Sequence, residues 1–127
     1  MEAEIEFISG GTVTSAKGFQ AGATFAGMNK KAKHNLDLGI LFSEVPSATV
    51  GLFTANKVKA APVVLSQERL PSRSIKAVVA NSGCANAGTG EPGIGDAVSM
   101  AALAARKIGV QPESVLVAST GGIGQRL

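Results

Sequence analysis

Apolar positions along the chain fall into short runs separated by small, polar and turn-forming residues. Leu36-Asp37-Leu38-Gly39-Ile40-Leu41-Phe42 alternates at first and then becomes wholly apolar, which predicts a strand. Val45-Pro46-Ser47 reads as a turn. Thr49-Val50-Gly51-Leu52-Phe53-Thr54 reads as a second strand, so the two are expected to pair as a hairpin. Ile75-Lys76-Ala77-Val78-Val79-Ala80 is a strong strand signal, and Ser114-Val115-Leu116-Val117-Ala118 reads as a buried strand. Glu6-Phe7-Ile8 predicts a short strand closed by a turn at Ser9-Gly10-Gly11. Another is expected at Ala23-Thr24-Phe25-Ala26, after a small, flexible stretch from Lys17 to Gly22. In Ala60-Ala61-Pro62-Val63-Val64-Leu65, Pro62 argues against a central strand because it cannot donate to a ladder.

Helical spacing occurs in one place. Val98, Ala101, Ala102, Ala105 and Ile108 recur at three- and four-residue intervals, with Asp96 as the expected N-cap. Arg106 and Lys107 suit the negative end of the helix dipole, and Gly109 supplies the residue that ends the helix. Several strands and one good helix predict an α/β fold of layered sheet and helix, with residues 1–127 forming one segment without a linker or repeat.

Composition narrows the function classes. Hydrophobic residues make up 45% of the 127 positions and charged residues 17%, which argues for a packed core. No apolar run approaches the roughly 20 residues needed to span a bilayer, and the acidic N-terminus is unlike a signal peptide. A single cysteine, Cys84, points to a reducing cytoplasm. The net charge is +3, but Lys30, Lys31, Lys33 and His34 cluster without aromatic neighbours for base stacking, and Trp and Tyr are absent. No nucleic-acid or membrane partner is expected.

The candidate chemistry sits at the end of the chain. The run from Ser114 leads into Ser119-Thr120-Gly121-Gly122-Ile123-Gly124, placing two hydroxyls and several unobstructed N–H groups together. Thr120 could donate through its hydroxyl and Gly121 through its N–H, forming an oxyanion hole for acyl transfer. An ordinary turn after a strand explains the same residues, and the local pattern leaves both readings open. The loop Asn81-Ser82-Gly83-Cys84-Ala85-Asn86-Ala87-Gly88-Thr89-Gly90 invites comparison with a phosphate cradle, but it matches neither G-x-G-x-x-G nor a Walker motif. A loop that satisfies its own backbone is the simpler reading. Cys84 and His34 have no visible partner for nucleophilic or metal chemistry, and Asp37 has none for general-base work. No metal or cofactor is expected.

Four stretches together resemble the ornithine acetyltransferase family (glutamate N-acetyltransferase, of arginine biosynthesis). They are Lys17-Gly18-Phe19 with Ala26-Gly27; Leu52-Phe53-Thr54-Ala55-Asn56-Lys57-Val58-Lys59-Ala60-Ala61-Pro62-Val63; residues 81–90; and Ala118-Ser119-Thr120-Gly121-Gly122-Ile123-Gly124. The resemblance implies a self-cleaving precursor in which cleavage frees a threonine at the start of a second chain. That threonine would take an acetyl group from N-acetylornithine and pass it to glutamate. Thr120 and Gly121 match the family's oxyanion-hole pair. Nothing resembling the family's cleavage region occurs within the sequence, so the nucleophile is expected from a C-terminal partner chain in a hetero-oligomer. Cys84, Gly88 and Gly122 depart from the residues usual in the family and leave the Thr-Gly pair intact. Other readings are a related self-processing aminopeptidase or amidohydrolase and a non-enzymatic anion-binding module.

Overall fold

A computed structural model describes residues 5–29 and 34–127. The lysine cluster Lys30, Lys31 and Lys33 lies outside the described residues, while His34 is exposed with its ring 6.4 Å from that of Phe25. The elements run β1 (Phe19–Thr24), β2 (Leu38–Thr49), α1 (Ala61–Glu68), β3 (Ser72–Cys84), α2 (Gly90–Ile108), a turn of 3₁₀ helix (Pro112–Ser114) and β4 (Val115–Gly122). The strands form one sheet in the order β1-β2-β3-β4. The first two pairings are antiparallel and β3–β4 is parallel. A parallel pair needs a crossover, and α2 provides it.

The core lies between the helices and one face of the sheet. Ala77 and Val79 of β3 and Val115 and Val117 of β4 meet Ala61 and Leu65 of α1 and Ala97, Ala101, Ala104 and Ala105 of α2. Leu38, Ile40 and Phe42 of β2 pack against the margin of this cluster. Small alanine side chains bring α2 close to the sheet, which is the expected α/β layering. Ala101 and Ala105 face inward as the helical spacing predicts, whereas Val98 is exposed and Ala97 takes the buried position. Among the described residues no helix is long and apolar enough to cross a membrane.

The local expectations fare unevenly. The strand at residues 6–8 is absent, although the turn after it forms, with Gly11 N–H donating to the Ile8 carbonyl at 3.1 Å. β1 begins at Phe19, inside the stretch expected to be flexible, because β2 offers it an antiparallel partner. Val45-Pro46-Ser47 is not a turn but an irregularity inside β2, where the register shifts between Phe42 and Ser47. The buried Ser43 hydroxyl donates to the Val45 carbonyl at 2.6 Å and stabilises the kink, and Pro46 sits where the ladder is interrupted. The hairpin with residues 49–54 does not form, since both edges of β2 are already taken by β1 and β3.

Residues 61–65 are helical, not extended. Pro62 lies in the first turn of α1, where its missing N–H has no helical partner to lose. Likewise α2 begins at Gly90, so Asp96 is inside the helix instead of capping it. Gly109 does end α2, with φ +72°, and its N–H donates to the Ala105 carbonyl.

Ser66 fastens α1 to the outer edge of the sheet. Its hydroxyl donates to the Val117 carbonyl at 2.8 Å and accepts from the Val117 N–H at 3.2 Å. Arg69 donates to the Val115 carbonyl on the same edge. Ser66→Ala would strand both buried Val117 groups, and a destabilisation of about 1–3 kcal/mol is expected, measurable by denaturant unfolding.

Candidate functional site

β4 does not end before the hydroxyl pair. It continues to Gly122, with Ser119, Thr120, Gly121 and Gly122 paired respectively with Asn81, Ser82, Gly83 and Cys84 of β3. The supposed turn is therefore strand, and the first part of the 81–90 loop is its neighbour. Both strands run in the same direction, so their carboxyl ends are placed together.

Alternation along β4 decides where each group points. Val115 and Val117 bury their side chains under the helices, and Ser119 follows them on that face. Thr120 follows Ala118 on the opposite face, and both are exposed. The main-chain groups alternate too. Val117 turns its N–H and carbonyl to Ser66 at the outer edge, whereas the Gly122 carbonyl points inward and accepts from Ala85 N–H at 2.9 Å. Gly121 thus directs its N–H to the outer edge, beside the exposed Thr120 hydroxyl.

Close backbone approach holds this corner. Gly121 has φ +132°, and a Cβ there would overlap the Gly83 carbonyl carbon. Gly83 has φ +126°, and a Cβ on it would lie 2.5 Å from the Met28 carbonyl oxygen. Only glycine fits either position. The segment after β4 is tied back as well: Gly124 N–H donates to the Ala87 carbonyl at 2.7 Å, and the Cys84 thiol to the Gln125 carbonyl at 3.1 Å. Cys84 is buried, consistent with a packed thiol.

Asp37, which sequence reasoning left without a role, anchors the layer above Gly83. Its Oδ1 accepts from Ala26 N–H at 2.6 Å, and its Oδ2 from Met28 at 2.7 Å and Asn29 at 3.0 Å. Its own carbonyl accepts from Ser82 N–H at 2.9 Å. These donors, Ala26 first, lower the Asp37 pKa below the ordinary 3.8 despite burial, which acts the other way. A depressed native pKa means the stabilisation is complete above the ordinary carboxylate range and is lost as pH falls through the native value. Asp37→Asn turns an amide N–H₂ toward backbone donors. The variant is expected to melt roughly 5–10 °C lower at neutral pH, with less further loss on acidification, in thermal scans across pH. The available signal was an acidic residue opening an otherwise apolar strand.

The remaining sequence candidates separate. Within the loop, Asn81 Nδ2 donates to the Cys84 carbonyl at 2.9 Å, Asn86 Nδ2 to the Gly93 carbonyl at 2.8 Å, and the Thr89 hydroxyl to Asn86 Oδ1 at 2.8 Å. These side-chain donors serve the loop and the start of α2, which favours the self-satisfied loop over a phosphate cradle. Asp96 binds Arg126 through a two-pronged ion pair at 2.7 and 2.8 Å, which lowers the Asp96 pKa. A cavity of about 550 Å³ lies between α2 and β2, lined by Leu38, Ile40, Met100, Leu103 and others. It is mainly apolar, with Asp96 and Lys107 also in its lining, and lies on the helix face, whereas the Thr120 side chain lies on the opposite face.

A family model described as the ArgJ family matches residues 20–127. This chain belongs to the ArgJ family. It is 50% identical to the arginine biosynthesis bifunctional protein ArgJ of Dehalococcoides mccartyi (strain CBDB1) over 127 residues, covering 100% of this chain and 31% of that protein. The ArgJ of Symbiobacterium thermophilum is 48% identical over 120 residues, covering 94% of this chain and 30% of that protein. The chain therefore spans about a third of the length of these ArgJ relatives. The crystal structure of ArgJ from Bacillus halodurans superposes with a TM-score of 0.87 at 40% identity, over 94% of this chain and 62% of that one. Ornithine acetyltransferase from Mycobacterium tuberculosis, solved in complex with ornithine, gives 0.77 at 42% identity, over 91% of this chain and 62% of that one. The α/β architecture is thus that of solved ArgJ proteins.

Proposed function

We propose that this chain is the N-terminal part of an acetyltransferase of arginine biosynthesis, moving the acetyl group of N-acetylornithine to glutamate, and that Thr120 and Gly121 stabilise the oxyanion of each transfer. The observation carrying this reading is the pair's position: a hydroxyl and an N–H next to one another at the exposed carboxyl end of an edge strand, on a backbone fixed by glycine contacts. The ArgJ names of the relatives and the ornithine complex of one solved structure support the substrates.

In this mechanism the nucleophile is a threonine at the start of the downstream chain freed by self-cleavage. Its hydroxyl oxygen attacks the acetyl carbonyl carbon while its proton passes to the departing ornithine amine, and an acetyl ester forms on threonine. The glutamate amine then attacks that ester, and the proton it gives up returns to the threonine oxygen. Negative charge gathers on the same carbonyl oxygen in both halves, so one pair of donors serves both. The chain contributes charge stabilisation and no activated nucleophile. The purified 127-residue chain is therefore expected to transfer no acetyl group from N-acetylornithine, and a full-length enzyme containing it to carry out the transfer. Turnover by the chain alone would refute this division of labour. Comparing glutamate with water as acceptor separates transfer from hydrolysis.

A further inference from the structure

Among the described residues, the fold leaves two buried side-chain polar atoms without a partner. Asn81 is 4% exposed, yet its Oδ1 has no hydrogen-bonding partner among the described residues. The same holds for the buried Ser119 hydroxyl. Both stand near the end of the apolar core, where an unpaired polar atom is costly. Their coincidence is informative because Asn81 and Ser119 are register partners across the β3–β4 ladder. Partners in a parallel ladder project from the same face, here the one under the helices.

Their chemistry is complementary. Asn81 Nδ2 donates to the Cys84 carbonyl, which fixes the amide orientation: a flip would set Oδ1 against that carbonyl. Oδ1 is therefore an acceptor without a donor, and Ser119 carries a hydroxyl proton without an acceptor. Ser119 immediately precedes Thr120, and Asn81 precedes the Ser82-Gly83 pair that lies opposite Thr120 and Gly121.

We propose that Ser119 and Asn81 are a positioning pair, the Ser119 hydroxyl linked to Asn81 Oδ1 through one internal water and so fixing the aim of Thr120 and Gly121 from the opposite face of the strand. The inference rests on the oxyanion assignment above and adds what holds the donors in place. A hydroxyl linked across the ladder resists twisting of β4 at the point where its side chains alternate. Loss of that link would misplace donors that must meet the oxyanion within tenths of an ångström, while substrate binding elsewhere stays intact.

The test uses a full-length enzyme that contains these residues, in steady-state acetyl transfer from N-acetylornithine to glutamate. Ser119→Ala is expected to lower kcat roughly 10-fold with little change in KM, and Ser119→Thr, which keeps the hydroxyl, to recover most of it. Asn81→Ala combined with Ser119→Ala should be no worse than the poorer single variant. Full kcat in Ser119→Ala, or strictly additive losses, would overturn the pairing. A high-resolution crystal structure of the unmutated enzyme tests it even where variants fail to fold. A water bridging Ser119 Oγ and Asn81 Oδ1 is expected, and two separated atoms with no bridging density would refute it. Undiminished turnover in Thr120→Ala would remove the oxyanion assignment itself, whereas an impaired Thr120→Ala beside a fully active Ser119→Ala would remove only the positioning pair.

Discussion

Thr120→Ala in the complete enzyme is expected to lower kcat by roughly 100- to 1,000-fold while leaving KM for N-acetylornithine within a few-fold of the unmutated value. The Thr120 side chain is exposed and lies on the face away from the apolar core, so its removal should cost little stability. On the proposed assignment the hydroxyl acts when a neutral carbonyl becomes an oxyanion, because a donor already in place stabilises that charge without reorganising. Binding of the uncharged acetyl group gains much less, which is why the loss should fall on kcat. Steady-state kinetics at saturating glutamate, with thermal melting as a control on folding, makes the check. A variant that turns over at the original rate would exclude Thr120 from the reaction.

Gly121→Ala is expected to be at least as damaging, for a different reason. The added methyl group cannot occupy the space it would be given: the Cys84 nitrogen would lie 2.6 Å away, and the backbone angle of +132° is one that alanine avoids. The ends of β3 and β4 must therefore separate, moving the Gly121 N–H and the neighbouring Thr120 together. Gly22→Ala is the matching control, because nothing lies within 4 Å of a Cβ at that β1 position. Loss of turnover in the first variant and retention in the second, with hydrogen exchange showing faster opening around residues 81–84 only in the first, is the expected outcome. Equal activity in both would mean that the close approach is irrelevant to the site.

Legibility in the sequence followed the range of the forces involved. β3 and β4 were legible because buried parallel strands need nearly continuous apolar residues, and residues 75–80 and 114–118 supply them. The end of α2 was legible because a left-handed glycine and basic residues act within one turn. Its beginning was not, since Gly90, Pro92 and Gly93 look like loop and are tolerated only in a first turn that packs against Asn86 and Thr89. The short apolar run in α1 was compatible with either state, and Ser66 reaching Val117, 51 positions away, belongs to the helical one. β1 became a strand because β2 was there to pair with it.

The site divides in the same way. Thr120 and Gly121 could be picked out because a strand running into hydroxyls and glycines is a local pattern. Asp37, Gly83 and the proposed pair Asn81 and Ser119 could not, since what each is placed to do depends on residues brought beside it by folding.

By itself, then, the sequence determined the α/β class, the central strands and the membership suggested by its ordered motifs, and it singled out the two residues proposed to stabilise charge. These rest on side-chain type and on spacing within a few positions. The tertiary structure alone decided that β4 lies at an edge and parallel to β3, that the Gly121 N–H turns outward, and that a buried carboxylate and two glycines hold the corner. Those outcomes depend on which strand edges are already occupied and which backbones come into contact, and no single stretch of chain contains that information.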